Sequence, residues 1–201
     1  MNRATLITLG VLMSVFASLL GLVIIPDWQM RDVREYQDDA RDSWPPVPFG
    51  DAVTGRAVYI DLGCIYCHSQ QVRPEGYGGD IARGWGMRRT VARDYIHESP
   101  PLLGTMRTGP DLANIGARQP SREWHLLHLY NPAITSAGST MPRYAFLFEL
   151  IREADRTPPG AIRLPGEWAR DGTWIVPKLR GSQLAGYLRS LNRNYQLPEA
   201  Q

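Results

Sequence analysis

The stretch Gly63-Cys64-Ile65-Tyr66-Cys67-His68 constrains this chain more than any other. Its C-x-x-C-H pattern is that of a c-type haem attachment site. Two intervening residues let one tight turn carry both thiols to a porphyrin edge, while the adjacent imidazole reaches the iron. Cys64 and Cys67 are the only cysteines, so all sulfur chemistry of the thiol kind sits here. A thioredoxin-like pair would need a preceding strand in a βαβ unit. The preceding residues, Gly55 to Leu62, read instead as a helix. A structural zinc site needs four nitrogen or sulfur ligands, and two cysteines with scattered histidines do not supply them. One covalently bound haem c is therefore the expected cofactor, with thioethers at Cys64 and Cys67 and His68 as an iron ligand.

A haem c is attached outside the cytoplasmic membrane in bacteria, which gives the apolar N-terminus a meaning. Residues 4–25 carry no charge. At 1.5 Å per residue they form a helix of about 33 Å, enough for a hydrocarbon layer of about 30 Å. A cleavable signal has a shorter apolar core and a small-residue cleavage site, which is absent here. The expected organisation is a transmembrane anchor over 1–26, a juxtamembrane stalk or linker over 27–50, and a haem domain over 51–201. The N-terminus is expected in the cytoplasm and the haem domain in the periplasm, at a bacterial inner membrane. The net charge of +2 gives no argument for nucleic acid.

The haem domain reads as mainly α. Asp51 opens a helix into Cys64, whose Gly55 and Tyr59 share a face. Leu184, Tyr187, Leu188 and Leu191 give a closing helix after a Ser182 cap, and small and aromatic residues let the two helices cross closely. Ser121 caps a helix from Arg122 to Tyr130 that Asn131-Pro132 stops. Between them lie irregular segments carrying Arg83, Arg88, Arg89, Arg93 and Arg107, each expected at the surface unless it meets a haem propionate. Asp171-Gly172, between Glu167-Trp168 and Thr173–Val176, reads as a hairpin.

A second iron ligand decides between an electron carrier and an open gas-binding haem. Met87, Met106, Met141, His97, His125 and His128 follow the motif. Met141 sits on a Pro-flanked loop after a helix, the best placement for closing over the iron. Met87 and Met106 read as core filler. His125 and His128 share a helix face, but no third metal ligand accompanies them. The second ring nitrogen of His68 needs an acceptor, and the Gly109-Pro110 turn is a candidate source.

The order of helix, C-x-x-C-H, Gly109-Pro110-Asp111-Leu112, Met141-Pro142 and Leu-rich helix resembles the class I cytochromes c over residues 51–192. The resemblance implies that fold, here with loop and hairpin insertions at 75–108 and 155–178. It also implies that Pro110 supplies the carbonyl to His68 and that Met141 is the distal ligand. A narrower likeness lies in Gly55-Arg56-x-x-Tyr59, Ser69-Gln70-x-x-Arg73-Pro74, Arg107-Thr108-Gly109-Pro110-Asp111-Leu112-Ala113 and Trp124-His125-Leu126-x-His128-Leu129. These are similar to the monohaem subunit II of cbb3-type cytochrome c oxidases. That resemblance implies an anchored subunit relaying electrons from a cytochrome c donor to a haem-copper catalytic subunit that reduces oxygen, with further cytochrome c subunits as candidate partners. Arg73 is a candidate for a propionate or partner contact. The chain itself has no copper-ligand cluster and one span, so no catalytic residue is expected in it. The alternatives are a nitric oxide reductase cytochrome subunit, which the Ser69–Pro74 residues disfavour, and a haem-based gas sensor, which needs an open sixth site.

Overall fold

The computed structural model describes residues 2–152, 157–169 and 171–200. The chain divides after Ser43 into two units. The first begins with a continuous helix, Arg3–Met30, of mean hydropathy 2.4 over its most apolar window. It comprises α1 (Arg3–Leu19), a π-helical turn (Leu20–Ile24) and α2 (Ile25–Met30). Asn2 caps it by accepting from the N–H of Ala4 at 3.2 Å. None of that window is buried, as expected for a helix whose apolar surface is not covered by its own chain. The helix overruns the uncharged stretch by one turn and ends with Arg31 paired to Asp27 at 3.5 Å. The stalk is not a longer helix. The chain reverses around Asp38, whose carboxylate accepts from the N–H groups of Ala40 and Asp42. This reversal lies between the two-residue strands β1 (Tyr36–Gln37) and β2 (Ser43–Trp44).

The second unit, Trp44–Gln201, is organised by α3 (Asp51–Asp61) and α6 (Leu179–Ser190). These two helices make the most extensive contact in the unit. A Cβ at Gly55 would lie 2.7 Å from the Tyr187 Cβ and closer still to the Gln183 carbonyl. One at Gly186 would lie 2.6 Å from the Asp51 Cβ. Only hydrogen at these positions permits the crossing. Tyr59 meets Tyr187 edge to face at 5.5 Å. Val58, Tyr59, Leu184 and Leu188 then join one buried cluster with Leu126, Leu127 and Ile175.

Between these helices lie α4 (Ile115–Arg118) and α5 (Arg122–Tyr130). Ser121 caps α5 through its hydroxyl, which accepts from the Trp124 N–H at 3.2 Å. Its buried residues are His125, Leu126, Leu127 and Leu129, so Trp124 and Tyr130 sit at the margins of the core. The closing helix starts earlier than its sequence signal suggests. Lys178 is extended, α6 begins at Leu179, and Ser182 lies inside it, where its hydroxyl accepts from Arg122 at 3.2 Å. The hairpin also differs from expectation. Thr173–Pro177 (β4) pairs antiparallel with Phe148–Arg152 (β3), matching Leu150 with Ile175. Gly166–Trp168 forms a 3₁₀ turn instead of a strand. Ile175 is fully buried and drives this pairing, which local alternation does not reveal.

The irregular segment 69–114 is held by ion pairs more than by regular structure. Fully buried Asp80 binds Arg73 at 2.7 Å and Arg107 at 2.8 Å. Arg107 also reaches Asp111 at 3.2 Å. Arg88 pairs with buried Asp94 at 2.9 Å, and Arg193 with Glu98 at 2.8 Å. Arg88 and Arg107 are thus largely buried tethers and not the solvated side chains expected. Met87 and Met106 depart in the opposite sense: they are 73% and 49% exposed and fill no core.

Gly55→Val is expected to lower unfolding stability of the second unit by about 3 kcal/mol, because backbone and not a flexible side chain blocks the new methyl groups. Urea denaturation of the haem-loaded protein measures it. Burial alone would raise the pKa of Asp80, but hydrogen bonds from Arg73 and Arg107 outweigh it and hold the carboxyl well below the usual range. A depressed folded pKa contributes stability that is present above the unfolded value of about 3.9 and is lost as pH falls through the folded one. Asp80→Asn is expected to lower stability at pH 7 and to flatten the loss between pH 5 and the acid limb. Denaturation midpoints measured across that range check both.

Candidate haem-binding site

The C-x-x-C-H residues come from one turn at the end of α3. Gly63 adopts φ +70° and ends the helix, and Cys64–Tyr66 form a 3₁₀ turn. The N–H of His68 then returns to the Cys64 carbonyl at 2.9 Å. Cys64, Cys67 and His68 consequently face one cavity of about 550 Å³. Burial pushes the Cys64 thiol up to about 11, so it is protonated at neutral pH, unlike the activated thiolate of a redox pair.

His68 is oriented from two sides. Its Nδ1 lies 2.7 Å from the Pro110 carbonyl oxygen. A carbonyl only accepts, so Nδ1 carries the proton and Nε2 keeps its lone pair. Burial lowers the pKa of the ring, opposed by that hydrogen bond, and keeps it neutral. Gly109 lies flat against the imidazole: a Cβ there would come within 2.7 Å of both ring nitrogens. Its N–H donates to the Cys67 carbonyl at 3.1 Å. Behind the ring, the Tyr59 hydroxyl donates to the His68 carbonyl oxygen.

The other walls come from α4, α5, α6 and the loop after α5. Leu112, Ile115, Leu129, Leu184 and Leu188 make much of the lining apolar. Trp124 and His128 line it as a stacked pair, with ring centroids 4.8 Å apart and planes 8° apart. Met141, Ser139 and Tyr144 line it from the loop. Of the six ligand candidates, Met141, His125 and His128 reach the cavity; Met87, Met106 and His97 do not. Burial brings both His125 and His128 down to about 4, so both rings are neutral. No cluster of three or more His, Cys, Asp or Glu side chains suited to a metal ion occurs among the described residues.

The arginines divide unexpectedly. Arg73 does not line the cavity, and Asp80 takes its guanidinium in two hydrogen bonds at 2.7 and 3.0 Å. Arg118, which sequence reading passed over, does line it. One of its terminal nitrogens donates to the Asp111 carbonyl at 2.6 Å, while its Nε is buried without a partner. The available signal was its place at the end of a short helix that also carries the buried Ile115. A half-buried guanidinium with one unpartnered nitrogen in a largely apolar cavity, beside two thiols and a lone-pair imidazole, fits a haem with its propionates.

The sequence matches the family described as cytochrome c oxidase, mono-heme subunit/FixO over residues 2–160. The chain belongs to the FixO family. It is a mono-haem cytochrome c subunit of a cbb3-type oxidase, a membrane protein carrying a haem, and it has a catalytic subunit as partner. The helix-rich second unit and the N-terminal apolar helix agree with that membership. A comparison with curated proteins found no significant match. Residues beyond the FixO match supply β4 and α6, and α6 contributes Leu184 and Leu188 to the cavity wall.

Gly109→Ala is expected to push the His68 ring off its Pro110 acceptor and to cost about 1–3 kcal/mol of stability through overpacking. The ferric absorption spectrum and the thermal midpoint of the haem-loaded protein, recorded together, measure both effects.

Proposed function

We propose that this FixO-family chain is a one-electron relay, with a haem c held covalently by Cys64 and Cys67 and bound axially by His68 and Met141. The observation that carries this reading is that these four side chains line one cavity. When bound there, the haem supplies reversible ferric–ferrous cycling. Everything else is the work of the chain. Cys64 and Cys67 fix the porphyrin edge; Pro110 sets the His68 tautomer through Nδ1 and leaves Nε2 for the iron. Arg118 offers its guanidinium to a propionate. Leu112, Ile115, Leu129, Leu184 and Leu188 exclude water. Methionine ligation raises the potential, which suits delivery of electrons late in a respiratory chain.

In this reading the N-terminal helix spans the cytoplasmic membrane in contact with lipid, its N-terminus is cytoplasmic, and the second unit faces the periplasm, where haem c is attached. Electrons enter from a cytochrome c donor and leave towards the catalytic subunit, which reduces oxygen. No residue of this chain is assigned a catalytic role. A closed sixth site separates this relay from a gas sensor.

Two variants test the ligand set. Cys67→Ala is expected to abolish the haem-stained band of this chain on a denaturing gel, and with it donor-driven oxygen consumption by the complex; a band of normal intensity refutes the attachment. Met141→Leu is expected to keep the haem attached, to lose the thioether-to-iron charge-transfer band and to lower the midpoint potential. An unchanged ferric spectrum assigns the sixth position elsewhere.

A further inference from the structure

The stacked wall of α5 holds a second histidine with the dress of a metal ligand. His128 Nδ1 lies 2.6 Å from the Thr135 hydroxyl oxygen. That hydroxyl also lies 3.3 Å from the Pro132 carbonyl; when it donates there it accepts from Nδ1–H, which leaves the lone pair on Nε2. No hydrogen bond is made by Nε2, on a ring that lines the cavity. The ring is thus held through Nδ1 as His68 is, there by a carbonyl oxygen at 2.7 Å and here by a hydroxyl. Ligating histidines are oriented in this way through their other nitrogen. His125, on the same face, differs: its Nε2 donates to the Gln119 carbonyl at 2.8 Å.

The two potential donors, both lining the cavity, are held with unequal firmness. His128 belongs to a capped helix with a largely buried face and is clamped by Trp124 and Thr135. Met141 sits in a loop whose neighbours Ala137, Gly138, Thr140, Pro142 and Arg143 are exposed. Its own N–H has only the Ser139 hydroxyl, at 3.3 Å. Loss of the thioether would leave an iron in a cavity where a neutral imidazole is already oriented.

We propose that His128 is an alternative axial ligand, whose Nε2 takes the sixth position when the Met141 sulfur leaves it; this rests on the reading of His68 and Met141 as the resident pair. In the exchange an iron–sulfur bond breaks and an iron–nitrogen bond forms. No electron is transferred, and with the ring proton on Nδ1 the exchange moves no proton. The product is a bis-histidine site of lower potential than the methionine–histidine one. Departure of Met141 therefore does not open the iron to small ligands but converts the relay to a low-potential form.

The test uses the full-length, haem-loaded chain in detergent, with spin state read by electron paramagnetic resonance and carbon monoxide binding read by absorbance. Met141→Leu is expected to remain low-spin in the ferric state and to resist carbon monoxide in the ferrous state. Met141→Leu combined with His128→Leu is expected to become high-spin and to bind carbon monoxide readily. Added imidazole is expected to return this double variant to low spin, which shows that its haem pocket survives. His128→Leu alone is expected to keep the charge-transfer band. A Met141→Leu protein already high-spin, and as reactive to carbon monoxide as the double variant, overturns the role of His128 and leaves the resident pair standing. An unchanged ferric spectrum in Met141→Leu overturns the resident pair itself, and the exchange with it.

Discussion

The approach of α3 to α6 is the contact on which the other features of the second unit depend. It is closer than any side chain larger than hydrogen allows at Gly55 and Gly186. The consequence is positional. With α3 seated, its C-terminal turn delivers Cys64, Cys67 and His68 to a fixed place. With α6 seated, Leu184 and Leu188 form the facing wall. Tyr59 links the two functions in one residue: its ring packs on Tyr187, while its hydroxyl holds the His68 carbonyl. Packing density and the placement of the His68 ring are here the same constraint.

A second layer of order comes from charge. Segment 69–114 has little repetitive backbone hydrogen bonding, and such a segment is normally costly to fix. Asp80, Asp94 and Asp111 offset this by accepting from backbone N–H groups as well as from arginines. Asp80 binds the Arg73 N–H, Asp94 the Val91 N–H, and Asp111 the N–H groups of Gln71 and Ala113. Each carboxylate therefore substitutes for a piece of secondary structure. Because Arg107 joins Asp80 to Asp111, and Pro110 follows within three residues, the network ends at the acceptor that orients His68.

Much of this was legible in the sequence. The motif, the Ser121 cap, the Gly55 and Tyr59 face and the leucine spacing of the last helix are local signals with direct physical meaning, and each marks an element that is present. Less legible were features settled by residues distant in sequence. The partner strand of Thr173–Pro177 is Phe148–Arg152, chosen by burial of Ile175, whereas local alternation around Asp171-Gly172 favours Glu167-Trp168. Arg193 finds Glu98, and Arg89 finds the Glu199 carbonyl, across most of the domain. Nothing in an arginine's immediate neighbours distinguishes such a tether from a solvated side chain, or from Arg118 at the cavity. Ser182 is a good cap by type, but the chain is already helical from Leu179, and so its hydroxyl serves Arg122 instead.

The distance along the chain between α3 and α6 has a bearing on the order of events during biogenesis. A long-range pairing forms only after the intervening chain is available, and the wall made by Leu184 and Leu188 lies more than a hundred residues after the Cys64 turn. Because α6 supplies Leu184 and Leu188, the cavity beside the two thiols lacks that wall in any chain whose last helix has not yet packed.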